Sequence, residues 1–185
     1  MAFTLYSHAV SLRDLGCTQS PMNAWITLNG VETLPLRMER HVENAQKVAG
    51  FLQQHPSVEW VSYAGLSSSP YYQLAQKYLQ GKAGSVFTFG IRGGYESGLR
   101  LLEKVELFSH VSNIGDSRSL ILHPASTTHR QLSDEQRLTA GAGPEVIRLS
   151  VGIESAEDLI SDLEQALELS LIHICAADEC SGVDL

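Results

Sequence analysis

Two stretches of the chain hold residue types that could do chemistry. The first is a polar loop after the apolar run Ser119 to His123. It carries His123, Ser126, Thr127, Thr128 and His129, with Asp134 and Glu135 shortly beyond. Serine, histidine and carboxylate together are the ingredients of nucleophilic catalysis, in which an imidazole takes a hydroxyl proton and a carboxylate orients the ring. Nearness in sequence does not supply that geometry, and no nucleophile-elbow motif accompanies it. Histidines that cap a loop are the better reading. The second stretch is Val146 to Val151, whose one charged residue is Arg148. Ile147, Leu149 and Val151 alternate with Arg148 and Ser150, so the apolar set faces a core and the arginine faces away. A guanidinium so placed is either a solvated strand residue or a planar fork that grips a carboxylate through two parallel hydrogen bonds. The pattern alone favours the solvated residue. Cys17 has no evident activating neighbour and reads as a buried small hydrophobe.

The elements that must position these residues alternate along the chain. Ser20 and Pro21 are suited to the N-cap and first position of a helix over Asn23 to Thr33, and Pro35 interrupts the pattern after it. Ala45, Val48, Ala49 and Leu52 have the i, i+3, i+4, i+7 spacing of a second helix, which ends before Pro56. Strands are expected at Val58 to Tyr63, Ser85 to Ile91, Leu107 to Val111, Ser119 to His123 and Val146 to Val151. Helices are expected at Tyr71 to Leu79, Tyr95 to Val105, from Ser133, where Gln136 completes a capping box, and from Ser155. The expected core is Val58, Trp60, Val86, Phe87, Phe89, Leu102, Ile121, Ile147, Leu149, Val151, Leu159 and Leu163. Strands and helices alternating over one core imply an α/β two-layer sandwich. The short connections leave antiparallel pairing open.

Composition bounds the function classes. The 185 residues are enough for one domain with a real core, and the hydrophobic and charged fractions, 43% and 18%, are ordinary for a globular protein. The formal charge of −8, with no basic patch, argues against a nucleic-acid partner. No apolar run approaches the ~20 residues that span a bilayer, and no signal-peptide layout opens the chain. Three cysteines make no disulfide framework, so the cytoplasm is the expected location.

The wording of several stretches adds more. H-P-A-S-T-T-H at 123–129, followed by I-R-L-S-V-G-I-E at 147–154, resembles the C-terminal part of the Cys/Met-metabolism family of pyridoxal-phosphate enzymes. L-R-D-L-G at 12–16, S-P-M-N-A at 20–24 and E-T-L-P-L-R-M-E-R-H at 32–41 belong to the same pattern, which runs from about Phe3 to Glu168. S-N-I-G-D-S-R-S-L at 112–120 stands where the cystathionine synthases and lyases of the family show S-L-G-G-x-E-S-L. It resembles the sulfhydrylase branch, which replaces the acetate of O-acetylhomoserine with sulfide or methanethiol to give homocysteine or methionine. The cystathionine synthase or lyase type is the alternative within the family. A stand-alone, non-catalytic α/β module is the alternative outside it.

The resemblance implies the small C-terminal domain of the fold-type I pyridoxal-phosphate-dependent transferases, a mostly antiparallel sheet with helices on one face. On that reading residues 1–56 lead in from a cofactor domain that precedes them in the family, residues 57–168 form the α/β domain, and 169–185 are a non-native tail. Arg148 matches the family arginine that binds the substrate α-carboxylate, and Ser119 the serine of the same pocket. Asn113 and Thr128 are placed near it by their motifs. The cofactor is pyridoxal 5′-phosphate, but Lys47, Lys77, Lys82 and Lys104 all lack the serine/threonine-rich T-K context of the family's cofactor lysine. No catalytic, cofactor-binding or metal residue is therefore assigned here, and the chain alone is expected to be inactive. The implied partners are a small amino-acid substrate, the missing cofactor domain and further copies in a homotetramer, with no nucleic acid and no membrane. The tail L-S-L-I-H-I-C-A-A-D-E-C-S-G-V-D-L departs from the family. Its His173, Cys175 and Cys180 are one ligand short of a structural zinc set.

Overall fold

The structure, a computed structural model, describes residues 1–179, with side chains through residue 169. The chain divides into two compact units at the Leu36/Arg37 boundary. In the first unit, helix α1 (Ala2–Tyr6) runs into a π-helical segment, Ser7–Leu12, followed by α2 (Pro21–Glu32). Ser20 caps α2, its Oγ accepting from the Asn23 N–H at 3.2 Å, and Pro21 takes the first helical position, where no N–H is needed. No residue of these three helical segments is buried. Phe3, Trp25, Ile26 and Leu28 all project to solvent.

The second unit contains nearly all of α3 (Leu34–Gln54), whose Ala45, Val48, Ala49 and Leu52 are fully buried. Pro35 falls in its first turn, where a missing N–H costs nothing. Then come β1 (Val58–Ser62), α4 (Tyr72–Leu79), β2 (Val86–Ile91), α5 (Gly94–Lys104), β3 (Leu120–Leu122), a 3-10 turn at Pro124–Ser126, α6 (Asp134–Thr139), β4 (Val146–Ser150) and α7 (Ala156–Glu179). The four strands form one antiparallel sheet in the order β1-β2-β4-β3. Phe87 and Phe89 pair with Leu149 and Ile147, and Ile121 with Leu149, so one sheet face is continuously apolar. Against it pack Leu52 of α3, Leu101 of α5, and Leu159 and Leu163 of α7. This is the expected two-layer α/β arrangement with helices on one face.

Four expectations are corrected. Cys17 is exposed, because it lies in the segment before α2, in a unit of which no residue is buried. Trp60 is 37% exposed and outside the core, because β1 carries a bulge. Val58 pairs with Ile91 but Trp60 with Gly90, so two residues of β1 oppose one step of β2 and Trp60 turns to the open face. Val86 is half-buried because it shares that open face with Thr88 and Gly90, while Phe87, Phe89 and Ile91 take the core side. Leu107 to Val111 is not a strand, and its one ladder contact is a parallel bridge between Ser109 and Leu120. The N–H groups of Glu106, Leu107 and Phe108 point instead at the Asp162 carboxylate on α7, at 2.8, 2.9 and 3.3 Å. A buried carboxylate satisfies three donors that a strand would have given to a neighbour.

Besides the Ser20 cap, two further capping expectations hold. The Ser133–Gln136 capping box forms in full, and Ser155 Oγ accepts from the Asp158 N–H at 3.4 Å. The backbone of α7 continues beyond Leu169 to Glu179. The side chains of His173 and Cys175, and all of Cys180, lie outside the described residues.

Candidate functional site

Arg148 stands in the middle of β4, held on both sides: its Cα partners are Thr88 on β2 and Leu122 on β3. Strand alternation sends Ile147 and Leu149 into the core, both 0% exposed, and aims Arg148 at the face without helices, where it is half-buried. Two hydrogen bonds hold the guanidinium, and both are long. Nη1 donates to Ser112 Oγ at 3.4 Å and Nη2 to the Asn113 carbonyl at 3.5 Å. Contacts at the outer limit of hydrogen bonding orient the group without consuming its donors. The fork remains able to take a carboxylate with two parallel bonds.

The arm that meets Arg148 runs from Ser109 to Ser119. Its roots are joined, with the Ser109 N–H donating to the Ser119 carbonyl and the Ile121 N–H to the Ser109 carbonyl, both at 3.0 Å. Within the arm, Asn113 Oδ1 accepts from the Ile114 N–H at 2.8 Å, which leaves the Asn113 carbonyl facing Arg148. Asp116 titrates below the usual carboxyl range because the Arg118 N–H, and then the Arg118 guanidinium, donate to it.

Ser119 is fully buried at the base of the arm. Its N–H and Oγ donate to the two oxygens of Glu154, at 2.6 and 2.9 Å, and its Oγ accepts from the Gly152 N–H at 2.8 Å. Asn44 on α3 donates to the carbonyls of Gly152 and Glu154 at 3.0 and 2.8 Å. The nitrogen Nδ1 of fully buried His41 meets the Val151 carbonyl at 2.6 Å, so that nitrogen carries the proton. A polar seam thus ties α3, the end of β4 and the arm together.

Of the four residues singled out from sequence, the structure brings Arg148 and Asn113 together. Ser119 reaches the site through the arm, with its hydroxyl engaged by Glu154 and Gly152. Thr128 is exposed, and its hydroxyl meets the neighbouring His129 ring at 2.8 Å. Ser112 was missed. Its position one residue before Asn113 was the available signal, but only the folded arm shows its hydroxyl on Arg148.

The serine–histidine constellation of the following loop resolves into structure. His123 is buried, with Nε2 2.8 Å from the Pro144 carbonyl and Nδ1 3.0 Å from Ser126 Oγ. A carbonyl accepts, so Nε2 carries the proton and Nδ1 accepts the Ser126 hydroxyl. The ring packs edge-on against Tyr95 at 5.0 Å and lies over Gly98. Burial pushes its pKa below the ordinary histidine value. Asp134 pairs with Arg137 at 2.8 Å rather than with either histidine.

The lysines are engaged at the surface. Lys47 pairs with Glu43 at 3.0 Å, Lys82 with Glu39 at 3.2 Å, Lys77 lies over the Tyr78 ring, and Lys104 closes the last turn of α5. Among the described residues no helix is long and apolar enough to cross a membrane.

An antiparallel sheet covered by helices on one face, and presenting a strand-borne arginine under a clamped arm on the other, defines an α/β domain. The model of the Cys/Met metabolism PLP-dependent enzyme family matches residues 3–168. The chain belongs to that family. It is 50% identical over 167 residues to an O-acetyl-L-homoserine sulfhydrylase of Thermus thermophilus, covering 90% of this chain and 40% of that protein. An O-acetyl-L-homoserine sulfhydrylase of Leptospira meyeri is 52% identical over 169 residues, covering 91% and 38%. A crystal structure of an O-acetylhomoserine (thiol)-lyase from Campylobacter jejuni, holding a pyridoxyl-lysine monophosphate, superposes with a TM-score of 0.81 at 46% identity. It covers 90% of this chain and 40% of that one. The chain thus spans about two-fifths of the length of the relatives it matches.

Proposed function

We propose that this chain is the C-terminal, substrate-holding part of a pyridoxal-phosphate-dependent O-acetylhomoserine sulfhydrylase, which converts O-acetylhomoserine and sulfide or methanethiol to homocysteine or methionine and acetate. The observation that carries this is the Arg148 fork, presented from the centre of a rigid sheet and only loosely held by Ser112 and Asn113. An amino acid offers an α-carboxylate, the anion that matches a planar guanidinium in shape and charge. A bidentate grip fixes how the substrate's Cα–H bond is presented, and orientation of this kind supplies a large part of a catalysed rate. Pyridoxal phosphate, when bound, supplies the electron sink for losing that proton and the acetate. The relatives' names and the family support the reaction.

In this reading Arg148 binds the carboxylate and the Asn113 carbonyl and Ser112 hydroxyl steer the guanidinium. Ser119 holds the arm, and Thr128 lies on the neighbouring loop. The remaining three-fifths of the polypeptide supply the cofactor lysine and cover the apolar side chains of residues 1–36. The intact protein is a cytoplasmic homo-oligomer, a tetramer. The reading is tested in the full-length, cofactor-loaded enzyme carrying this chain. O-acetylhomoserine should be consumed with release of acetate, and homocysteine should appear when sulfide is present. Turnover of cystathionine with no sulfide-dependent product would place the chain in the lyase branch instead.

A further inference from the structure

We infer that Glu154 is a positioning residue for Arg148: it clamps the arm that aims the guanidinium, and so sets the geometry of the carboxylate site without touching substrate. The inference rests on the proposed role of Arg148.

Arg148 is steered by Ser112 and Asn113, and both belong to the Ser109–Ser119 arm. Where the arm stands is decided at its base. Four hydrogen bonds join the base to the residues that directly follow β4, the strand carrying Arg148. Glu154 takes the Ser119 N–H and hydroxyl on its two oxygens, the Gly152 N–H donates to Ser119 Oγ, and the Ile153 N–H donates to the Ser117 carbonyl at 2.9 Å. One strand therefore presents the arginine and, a few residues on, grips the arm that orients it. The approach is close enough to require glycine at 152, since a Cβ there would collide with the Glu154 carboxylate and the Ser117 carbonyl.

Hydrogen bonds to an ionised carboxylate are about twice as strong as neutral ones, and a carboxylate offers two acceptors in the spacing that the Ser119 N–H and O–H present. Without Glu154 the Ser119 N–H is left unpaired in a fully buried residue. A buried donor without a partner is costly enough to open the base toward water. The contacts at the tip are long, 3.4 and 3.5 Å, so they give way readily when the base moves. Arg148 then keeps its charge and its place on β4 but loses its aim. Misplacement by about 1 Å at a positioning group costs up to about 100-fold in rate.

The test is a double-mutant cycle on kcat/KM for O-acetylhomoserine in the full-length, cofactor-loaded enzyme. It uses Arg148→Ala, Glu154→Ala and both together, with Glu154→Gln as the conservative variant that keeps one acceptor for the Ser119 N–H. Glu154→Ala should lower kcat/KM about 10- to 100-fold, mainly through KM, and Glu154→Gln should lower it less. In the Arg148→Ala background the same Glu154 change should matter less than about twofold, because the group it positions is gone. Equal effects in both backgrounds would overturn the clamp while leaving the role of Arg148 intact. A silent Arg148→Ala would overturn that role by itself. A readout independent of turnover is amide hydrogen exchange on the same full-length, cofactor-loaded enzyme, read over the peptides of this chain. Glu154→Ala should speed exchange of the amides of Ser119 and Gly152 and along the arm, while the amides of β2 and β4 stay protected. Should Glu154→Ala not fold, Glu154→Gln decides by the same two readouts. Unchanged exchange across the arm in a folded Glu154 variant contradicts the inference.

Discussion

Trp60 lies across Gly90 on the open face of the sheet, and a Cβ at Gly90 would collide with the indole ring. Gly90→Ala should therefore push Trp60 off β2, at a cost of about 1–3 kcal/mol for overpacking. Urea unfolding reads the cost. The indole is already 37% exposed and moves further into water, so tryptophan emission should shift to the red. An unshifted spectrum with unchanged stability would show that the bulge in β1 does not hold the ring there.

Asp162 accepts from three consecutive backbone N–H groups after α5, and its other oxygen contact is Gln165 Nε2 at 3.2 Å. It is 8% exposed. Asp162→Ala leaves buried donors without an acceptor and should cost about 3 kcal/mol. Asp162→Asn should recover only part, since its amide group turns N–H toward N–H. A loss below about 0.5 kcal/mol, typical of surface changes, would show that water replaces the carboxylate freely.

Tyr63 donates to the Gly84 carbonyl at 2.8 Å, and burial raises its pKa to about 12. Absorbance titration at alkaline pH should show one tyrosine that ionises well after the exposed ones. Tyr63→Phe should remove that late step and cost about 1 kcal/mol. A single transition common to all tyrosines would contradict the burial of this ring.

Burial lowers the pKa of His123 from an ordinary value near 6.5, with Arg137 acting in the same direction and the Pro144 carbonyl and Glu145 opposing. The unfolded chain therefore binds the proton more readily than the folded one. Stability from this group is complete above pH 6.5 and is lost as pH falls from there through the lowered folded value. The thermal midpoint should drop across that window in the wild type and drop less in His123→Gln. His55, also lowered by burial, adds to the wild-type slope and stays in the variant.

Much of the fold was legible because it repeats. The spacing of Ala45, Val48, Ala49 and Leu52 marks the buried stripe of α3, and the alternation around Ile147 and Leu149 sets the register of β4, both of which sit in the core as read. The caps at Ser20 and Ser133 are local chemistry that a few residues encode. Trp60 was misplaced because a bulge inserts one residue into a strand and leaves no mark in residue type. Leu107 to Val111 was misread because its backbone partner is a carboxylate more than fifty residues away.

The site divides along the same line. Arg148 could be placed on the open face from the pattern of β4, but that pattern favours a solvated arginine, and its proposed carboxylate role comes from the family resemblance. The hydroxyl that meets it could not, because Ser112 reaches Arg148 only when the arm folds back over β4. A serine's residue type likewise does not say whom its hydroxyl faces, and Ser119 faces Glu154.

The reading of Arg148 as the carboxylate anchor is tested most directly by steady-state kinetics of Arg148→Ala and Arg148→Lys in the full-length, cofactor-loaded enzyme. Removing one partner of a charge-paired contact costs about 2–5 kcal/mol, and Arg148→Ala should lower kcat/KM for O-acetylhomoserine by that amount. Arg148→Lys should recover only part, because an ammonium keeps the charge without the fork. The fold should be unaffected in both, since the side chain points away from Ile147 and Leu149. Wild-type kinetics in a well-folded Arg148→Ala enzyme would contradict the assignment and leave Arg148 an ordinary strand residue.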